Sequence, residues 1–389
     1  MENLERSCAT EDYKSGLSGF AKKYPMRQFN DVYEGKKVFL TGHTGFKGSW
    51  LTLWLDRLGA DVCGFSLKEP VSEPDHFSLL STGIKDVRGD IRDHESLQDA
   101  IQQFAPEIVF HLAAQPLVHW SYRDPLATFS TNVLGTANLL QACRYCDSIR
   151  TVVVVTTDKV YHNREWDWGY REIDPLGGHD PYAASKVCSE FVSDCFRKSF
   201  FEDKNILLAT CRAGNVIGGG DWAANRIVPD MVCAAASGKT MGIRMPHAVR
   251  PWEHVLEPLA GYLLVGQRLL ERKVEFAQAW NFGPDAKGIV TVGELAEHAQ
   301  SHWNALKIDV TAPETQGPHE TSYLALDCSK AKRRLGWSPV WSLEETVQHT
   351  IDWYREYYEN KKIVTSDQLS QFVADAKNRQ TIWTKELSH

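Results

Sequence analysis

A short apolar run that ends in a glycine-rich turn constrains this fold more than any other feature of the sequence. The run covers residues 37–40, glycines follow at positions 42, 45 and 48, and apolar residues then recur at helical spacing from Ser49 to Leu58. Glycine lets the backbone approach an anion closely, and a helix N-terminus attracts negative charge. The order strand, turn, helix predicts a site for the pyrophosphate of a dinucleotide, whereas the alternative is an ordinary tight turn.

The same alternation of strands and helices continues through the first half of the chain. The predicted strands are residues 62–67, 108–112 and 151–155, and the predicted helices are residues 90–104, 132–146 and 180–200. Four consecutive valines follow Thr151, which is typical of a strand buried on both faces. The pattern predicts an α/β fold with a doubly wound, Rossmann-like parallel sheet, whose strands end at one ligand-binding edge.

The 389 residues exceed the roughly 250–300 that one hydrophobic core accommodates, so we expect a second, smaller lobe for the substrate. The regular alternation weakens after about Ala209, and order is expected to begin at Lys36. The predicted parts are an N-terminal extension (1–33), a dinucleotide-binding domain (34–210, with a returning strand near 279–283), a substrate lobe (211–359) and a tail (360–389). The tail is expected to be an extra helix or a mobile segment.

Composition excludes several classes of partner. A net charge of -7 offers no overall attraction to nucleic acid or to an anionic membrane surface. No apolar run approaches the ~18 residues of a membrane span, and the polar N-terminus does not resemble a secretory signal. Nine scattered cysteines fit free thiols in a reducing cytoplasm. Cys143 and Cys146 have CxxC spacing, but no second pair follows, so no metal site is predicted.

A tyrosine and a lysine four residues apart open the helix predicted at 180–200. Tyr182 and Lys186 therefore lie on one helix face. A free tyrosine has a pKa near 10, and a neighbouring ammonium is expected to lower that pKa. The pair can act as a base on a hydroxyl group, or it is a core tyrosine beside a solvated lysine.

Polar side chains follow the valine-rich strand, where the sheet edge is expected. Thr157, Asp158 and Lys159 bring together a hydroxyl, a carboxylate and an ammonium, although strand ends also use such residues to cap the next turn. Residues of the glycine-rich turn and of other predicted strand ends complete the candidate cofactor site: Gly42, His43, Thr44, Gly45, Phe46, Lys47, Gly48, Asp90, Ile91, Leu112, Ala113, Ala114, Tyr182 and Lys186. In dinucleotide-binding domains of this kind, an acidic residue after the second strand binds the ribose 2′-hydroxyl of NAD. No acid stands at the end of the second strand here, so this criterion does not separate NAD from NADP.

The segments TGHTGFKG, HLAAQ, TTDK and YAASK occur in the order and spacing of the extended short-chain dehydrogenase/reductase family, which the chain resembles over about residues 36–345. The resemblance implies bound NAD, a homodimer and a nucleotide-sugar substrate that loses water. It implies that Thr157, Tyr182 and Lys186 transfer hydride, and that Asp158 and Lys159 are the acid and base of water loss. The residues implied to hold the nucleotide sugar are Asn215, Arg226 and Arg250.

Three alternatives remain beside this interpretation. A nucleotide-sugar 4-epimerase does not need an acid and a base to remove the C6 hydroxyl of the sugar, so the presence of Asp158 and Lys159 argues against this function. The sequence does not distinguish this interpretation from a dehydratase that is specific for another nucleotide. A non-catalytic NAD-binding regulator would not need Tyr182 and Lys186, which are both present. Asn132, at the start of a predicted helix, either binds substrate or braces the structure nearby.

Overall fold

The computed structural model describes residues 27–70, 72–243, 245–310 and 322–385. Its centre is a seven-stranded parallel sheet in the order β10-β6-β5-β4-β1-β2-β3. The strands of this sheet are β1 (Lys37–Thr41), β2 (Asp61–Ser66), β3 (Lys85–Arg88), β4 (Ile108–His111), β5 (Thr151–Val155), β6 (Leu207–Ala213) and β10 (Ala279–Phe282). The predicted fold class is confirmed, and β10 is the returning strand expected near 279–283.

Helices cover both faces of the sheet because alternate side chains of each strand point to opposite sides. Val152 and Val154 of β5 lie in one core cluster, while Val153 and Val155 lie in the other. The helices of this half are α1 (Phe46–Arg57), α2 (His94–Phe104), α3 (Val118–Arg123), α4 (Pro125–Phe129), α5 (Gly135–Arg144) and α6 (Pro181–Phe196). All five residues of β5 are buried, as the run of valines predicted.

The second lobe contains two small sheets beside the carboxyl edge of the main sheet. One has the order β11-β9-β7 and the other pairs β12 with β8. The elements of the second half are β7 (Asn215–Ile217), α7 (Ile227–Ala236), β8 (Thr240–Gly242), β9 (Val249–His254), α8 (Leu256–Leu270), β11 (Ile289–Thr291), α9 (Val292–His302), β12 (Lys307–Asp309), α10 (Leu343–Asn360) and α11 (Thr365–Asn378). Helix α8 returns to the main sheet and packs against β5 and β6.

Several element boundaries differ from the sequence prediction. The helix expected from residue 90 begins at His94, because Asp93 caps it by accepting a hydrogen bond from the Ser96 amide. Strand β3 was not predicted, since its four residues are mostly polar and exposed. Strand β6 continues to Ala213, past the domain boundary expected at residue 210. The predicted helices at 132–146 and 180–200 each include a π-helical turn, at Ser130–Leu134 and Arg197–Phe201.

The expectation that order begins at Lys36 is wrong. Phe29 and Tyr33 are buried, and the Tyr33 hydroxyl donates to the Leu263 carbonyl oxygen at 2.6 Å. Near the other end of the chain α11 packs on α1, and the ring of Trp383 stacks on Phe29 with centroids 5.3 Å apart. The tail is therefore an extra helix up to Asn378. Residues 1–26 of the predicted extension and 386–389 of the tail lie outside the described residues.

No helix in the described ranges is both long and apolar enough to cross a membrane. The eight cysteines among these residues are free thiols. Cys143 and Cys146 are both buried near the end of α5.

Candidate active site

The carboxyl ends of the central strands open into one cavity of about 720 Å3. Its walls come from the glycine-rich turn, the ends of β4 and β5, the start of α6, and β7 to β9 of the second lobe. All five predicted catalytic residues line this cavity: Thr157, Asp158, Lys159, Tyr182 and Lys186. Segments more than 200 residues apart in the chain thus form a single site.

The glycine-rich turn between β1 and α1 is packed too tightly for side chains. Gly42 has a φ of +75°, and a Cβ there would lie 2.6 Å from the amide nitrogen of Ala113. A Cβ on Gly48 would lie 1.9 Å from the carbonyl oxygen of Gly42. The close approach lets the N-terminus of α1 face the cavity without intervening side chains. This geometry fits a pyrophosphate.

The predicted cofactor residues lie on the cavity wall with one exception. Lining it are Gly42, Thr44, Gly45, Phe46, Lys47, Gly48, Asp90, Ile91, Leu112, Ala113, Ala114, Tyr182 and Lys186. The exception is His43, whose side chain is fully buried and lies 2.9 Å from Asp86 on β3. Its ring lies against Gly64 of β2, where a Cβ would come within 2.4 Å of it. His43 therefore supports the turn from behind.

Local structure places the tyrosine, the lysine and the threonine together. Asp180 caps α6 by accepting a hydrogen bond from the Ala183 amide at 2.8 Å, so Tyr182 lies in the first turn. Lys186, one turn later, donates from Nζ to the Val155 carbonyl oxygen at 3.2 Å. Thr157 follows β5, and the three side chains meet at the sheet edge.

The expected lowering of the pKa of Tyr182 is wrong for this structure. Burial raises the pKa of Tyr182 to about 12, although its hydrogen bond with Thr157 opposes the rise. Burial also lowers the pKa of Lys186 to about 8, and the nearby Lys47 ammonium lowers it further. Withdrawal from water therefore outweighs the attraction that the sequence predicted between the phenolate and the ammonium.

Asp158 lies in a different environment from an ordinary surface carboxylate. It is 2% exposed, and burial raises its pKa against the opposing effects of Lys159 and the Thr157 hydroxyl. Thr157 donates to Oδ1 at 3.0 Å, while Oδ2 has no hydrogen-bond partner within the described part of the chain. A carboxyl group held in this way favours its protonated form, as a general acid requires.

Three of the four predicted substrate residues line the second-lobe side of the cavity. Asn215 lies on β7, Arg250 on β9, and Arg226 just before α7, where it donates to Asp221 at 2.8 Å. Asn132 does not line the cavity. It is 1% exposed and donates from Nδ2 to the Ser185 hydroxyl at 2.8 Å, so it braces α6. Its expected role in substrate binding is therefore corrected to the bracing alternative.

A buried ion pair behind the site was missed by the sequence analysis. Glu190 accepts hydrogen bonds from Thr156 at 2.6 Å and Thr210 at 2.7 Å, and Arg212 donates to both of its oxygens. The network joins β6 to α6, which carries Tyr182 and Lys186, and to the end of β5, which Thr157 follows. The signal available in the sequence was the position of Glu190 four residues after Lys186, which places both side chains on one face of the helix.

Comparison with known proteins agrees with this architecture. A model of the GDP-mannose 4,6-dehydratase family matches residues 39–350. The chain belongs to this family. Membership confirms the predicted enzyme class, a nucleotide-sugar dehydratase, here of the 4,6-dehydratase type, and the predicted relation to the extended short-chain dehydrogenase/reductases.

Three similar proteins illustrate the range of the family and its neighbours. The CDP-glucose 4,6-dehydratase of Salmonella typhimurium is 46% identical over 353 residues, which cover 88% of this chain and 98% of that protein. The UDP-glucose 4-epimerase of Thermus thermophilus in complex with NAD is 25% identical, with a TM-score of 0.70 and coverage of 82% and 99%. The dTDP-glucose 4,6-dehydratase of Bacillus anthracis in complex with NAD has a TM-score of 0.70, 21% identity and coverage of 83% and 97%, and it shows the fold alone.

Proposed function

We propose that this protein is a CDP-glucose 4,6-dehydratase, which converts CDP-glucose to CDP-4-keto-6-deoxyglucose and water. The observation that carries the proposal is one cavity that holds Thr157, Tyr182 and Lys186 together with a buried acid, Asp158, and an amine, Lys159. The first three suit oxidation at C4, and the last two suit loss of the C6 hydroxyl. The 46% identity to the Salmonella typhimurium enzyme supports the choice of CDP-glucose.

The proposed cofactor is NAD, held by the glycine-rich turn and by the ends of β2 to β4. When bound, NAD supplies a hydride acceptor and donor, so the overall reaction is redox-neutral. Gly42 and Gly48 leave room for the pyrophosphate, and Ser66 lies at the end of β2 on the cavity wall. The NAD complex of the Thermus thermophilus epimerase supports NAD over NADP.

The protein groups have separate tasks in the proposed mechanism. Tyr182, in its ionised form, accepts the proton of the C4 hydroxyl. Thr157 hydrogen-bonds to the same oxygen. The C4 ketone acidifies the C5 proton, which Lys159 accepts. Asp158, whose pKa burial raises, donates its proton to the departing C6 hydroxyl.

The test is to incubate the purified protein separately with CDP-glucose and dTDP-glucose and to analyse the products by mass spectrometry. CDP-glucose should lose one water with no net accumulation of NADH. An isomer of unchanged mass would instead identify a 4-epimerase. Faster water loss from dTDP-glucose would identify a dehydratase for another nucleotide, and no turnover of either sugar would favour the regulator.

The proposed assembly is a homodimer that works in the cytoplasm. Large apolar side chains are exposed on α4, before α5 and on α6, namely Leu126, Leu134 and Phe191. Two copies that pair these helices around a twofold axis would bury them in a four-helix bundle. Light scattering at micromolar concentration should give the mass of a dimer, and a monomer would contradict the proposal. The cytoplasmic location rests on the free thiols and stays a prediction.

A further inference from the structure

A short glycine-rich loop forms part of the cavity wall on the side of the second lobe. This 218–221 loop follows β7, and three of its four residues line the cavity. Its last residue, Asp221, uses both carboxylate oxygens: Oδ1 accepts a hydrogen bond from the Ala223 amide at 3.0 Å, and Oδ2 accepts one from Nη1 of Arg226 at 2.8 Å. The position of the loop therefore determines where the Arg226 guanidinium lies.

Arg226 presents the rest of its guanidinium to the cavity. Its side chain lines the cavity and is 33% exposed, and its one ion pair among the described residues is with Asp221. A guanidinium has five N–H donors in a rigid fork, so donors remain for an anion. The anionic part of a nucleotide sugar is its diphosphate, and pairs of arginine with phosphate depend on the orientation of the fork. The affinity for a diphosphate should therefore depend on how Asp221 is held.

Asp221 is held in turn by a helix that lies beyond the family match, which ends at residue 350. Tyr354 of α10 is fully buried, and its hydroxyl accepts a hydrogen bond from the Asp221 amide at 3.0 Å. The same hydroxyl lies 2.6 Å from the carbonyl oxygen of Asp221 and 3.2 Å from that of Gly218, and it can donate its proton to either. One phenol thus binds both backbone groups of Asp221.

Two rings support the middle of the loop at very close range. A Cβ on Gly219 would lie 2.0 Å from Cγ of Trp353, and a Cβ on Gly220 would lie 2.3 Å from Cγ of His76. Thr365, the first residue of α11, joins the two rings. Its hydroxyl accepts a hydrogen bond from Nε1 of Trp353 at 2.9 Å and lies 2.9 Å from Nε2 of His76. The C-terminal helices therefore fix the loop from two directions.

We propose that helices α10 and α11 set the affinity of this protein for the diphosphate of its nucleotide sugar. Tyr354 and Thr365 hold the 218–221 loop in place. Asp221 then holds the Arg226 guanidinium in the orientation that binds the diphosphate. Arg226 contacts the ligand, whereas Tyr354 and Thr365 are positioning residues that act through it. That the ligand is a nucleotide sugar rests on the proposed function, but the path from α10 to Arg226 does not depend on the base of the nucleotide.

The first test measures the affinity of the NAD-loaded protein for CDP by titration calorimetry. Tyr354→Phe removes the hydroxyl and keeps the ring, so the Kd for CDP should rise about tenfold, as for the loss of one net hydrogen bond. The KM for CDP-glucose should rise by a similar factor, while kcat changes much less. The matched control is Tyr358→Phe on the same helix, whose hydroxyl accepts a hydrogen bond from the Trp222 indole at 3.0 Å. This control should leave the Kd unchanged.

The second test asks whether Tyr354 acts through Arg226. Arg226→Met removes the charge that binds the diphosphate, so it should raise the Kd for CDP more than Tyr354→Phe does. The double variant should have the Kd of Arg226→Met alone, because no guanidinium is left to position. A further tenfold rise in the double variant would show that the tyrosine acts by another path.

Thr365→Val tests the same support if Tyr354→Phe does not fold. It removes the hydroxyl that joins Trp353 to His76, so the Kd for CDP should rise about threefold. Thr365→Ser keeps a hydroxyl at this position and should restore the wild-type Kd.

The proposal is overturned if folded Tyr354→Phe binds CDP with the wild-type Kd, if Tyr358→Phe weakens binding equally, if the effects of Tyr354→Phe and Arg226→Met add, or if Thr365→Ser fails to restore the Kd. A wild-type protein that binds CDP but does not remove water from CDP-glucose would contradict the proposed function alone. If it binds dTDP and not CDP, the choice of CDP-glucose is wrong, and dTDP replaces CDP in the same titrations.

Discussion

Two glutamates are buried behind the same cavity, but their hydrogen-bond partners and the directions of their pKa shifts differ. Glu190 accepts hydrogen bonds from two threonines and from Arg212, and these interactions lower its pKa despite burial. Glu253 has no such partners within the part of the chain that the structure describes, and burial raises its pKa. The first is a fixed ion pair, whereas the second is a buried acid without an ion pair among the described residues.

The difference matches the two halves of the proposed reaction. The region around Glu190 supports α6 and the end of β5, so it holds Tyr182, Lys186 and Thr157 in place for oxidation. Asp158, which must change its protonation state during elimination, likewise has one oxygen without a partner among the described residues. Full hydrogen bonding provides rigidity where geometry decides the rate, and a lack of partners leaves groups titratable where protons move.

The largest expected effect is a slower oxidation step, which distinguishes the region that supports Tyr182 from the region that serves elimination. Tyr182→Phe removes the group that accepts the C4 proton, so the first hydride transfer should slow by ~10²-fold or more. The measurement is the absorbance of NADH in a single turnover with CDP-glucose. Formation of NADH at the wild-type rate would show that Tyr182 is not the base.

The ion pair of the first region should dominate stability. Glu190→Gln leaves the buried guanidinium of Arg212 without its counter-charge, which should cost about 3–5 kcal/mol of unfolding free energy. Chemical denaturation measures this loss. The matched control is Glu344→Gln, which removes an exposed acid that faces His298 and His302 and should change stability by less than about 1 kcal/mol. Equal losses of unfolding free energy in the two variants would contradict a special contribution of the buried ion pair to stability.

Variants of the proposed acid and base should stop the reaction after the oxidation step. Lys159→Met leaves Tyr182 in place but removes the proposed base at C5, so NADH should form and persist with a 4-keto sugar that retains its C6 hydroxyl. Asp158→Asn should stall in the same way, with elimination slower by ~10²-fold, because the hydroxyl is then a poor leaving group. Absorbance and mass analysis of quenched sugar measure both. If Lys159→Met turns over normally, another residue takes the C5 proton.

The smallest expected effect concerns the pH dependence of stability. The pKa of Glu253 is raised on folding, so the native protein binds more protons than the unfolded chain above the ordinary carboxyl pKa, and stability falls as pH rises. Glu253→Gln removes this slope and should stabilise the protein by about 1 kcal/mol more at pH 8 than at pH 5. The control is Glu190→Gln, since Glu190 has a lowered pKa on folding and its replacement should not stabilise the protein as pH rises. An identical response of both variants would contradict the distinction.

The residues that the sequence could place are those whose partners lie nearby in the chain. Tyr182 and Lys186 share a helix face, and Thr157 and Asp158 follow directly on a buried strand, so periodicity alone brought each group to the edge of the sheet. Asn132 and His43 were placed correctly along the chain but given the wrong environment. Their side chains turn into the protein, towards Ser185 and Asp86, and no local pattern specifies that direction.

By itself the sequence determined the alternating strands and helices, the glycine-rich turn and the edge at which ligands meet, because hydrophobic periodicity and backbone freedom are local properties. Only the tertiary structure decided the state of the ionisable groups. The pKa of Tyr182 rises where the sequence predicted a fall, and burial raises the pKa of Glu253, a residue that no local pattern in the sequence distinguished. Desolvation depends on everything that packs around a group, and that packing is assembled from segments distant in the chain.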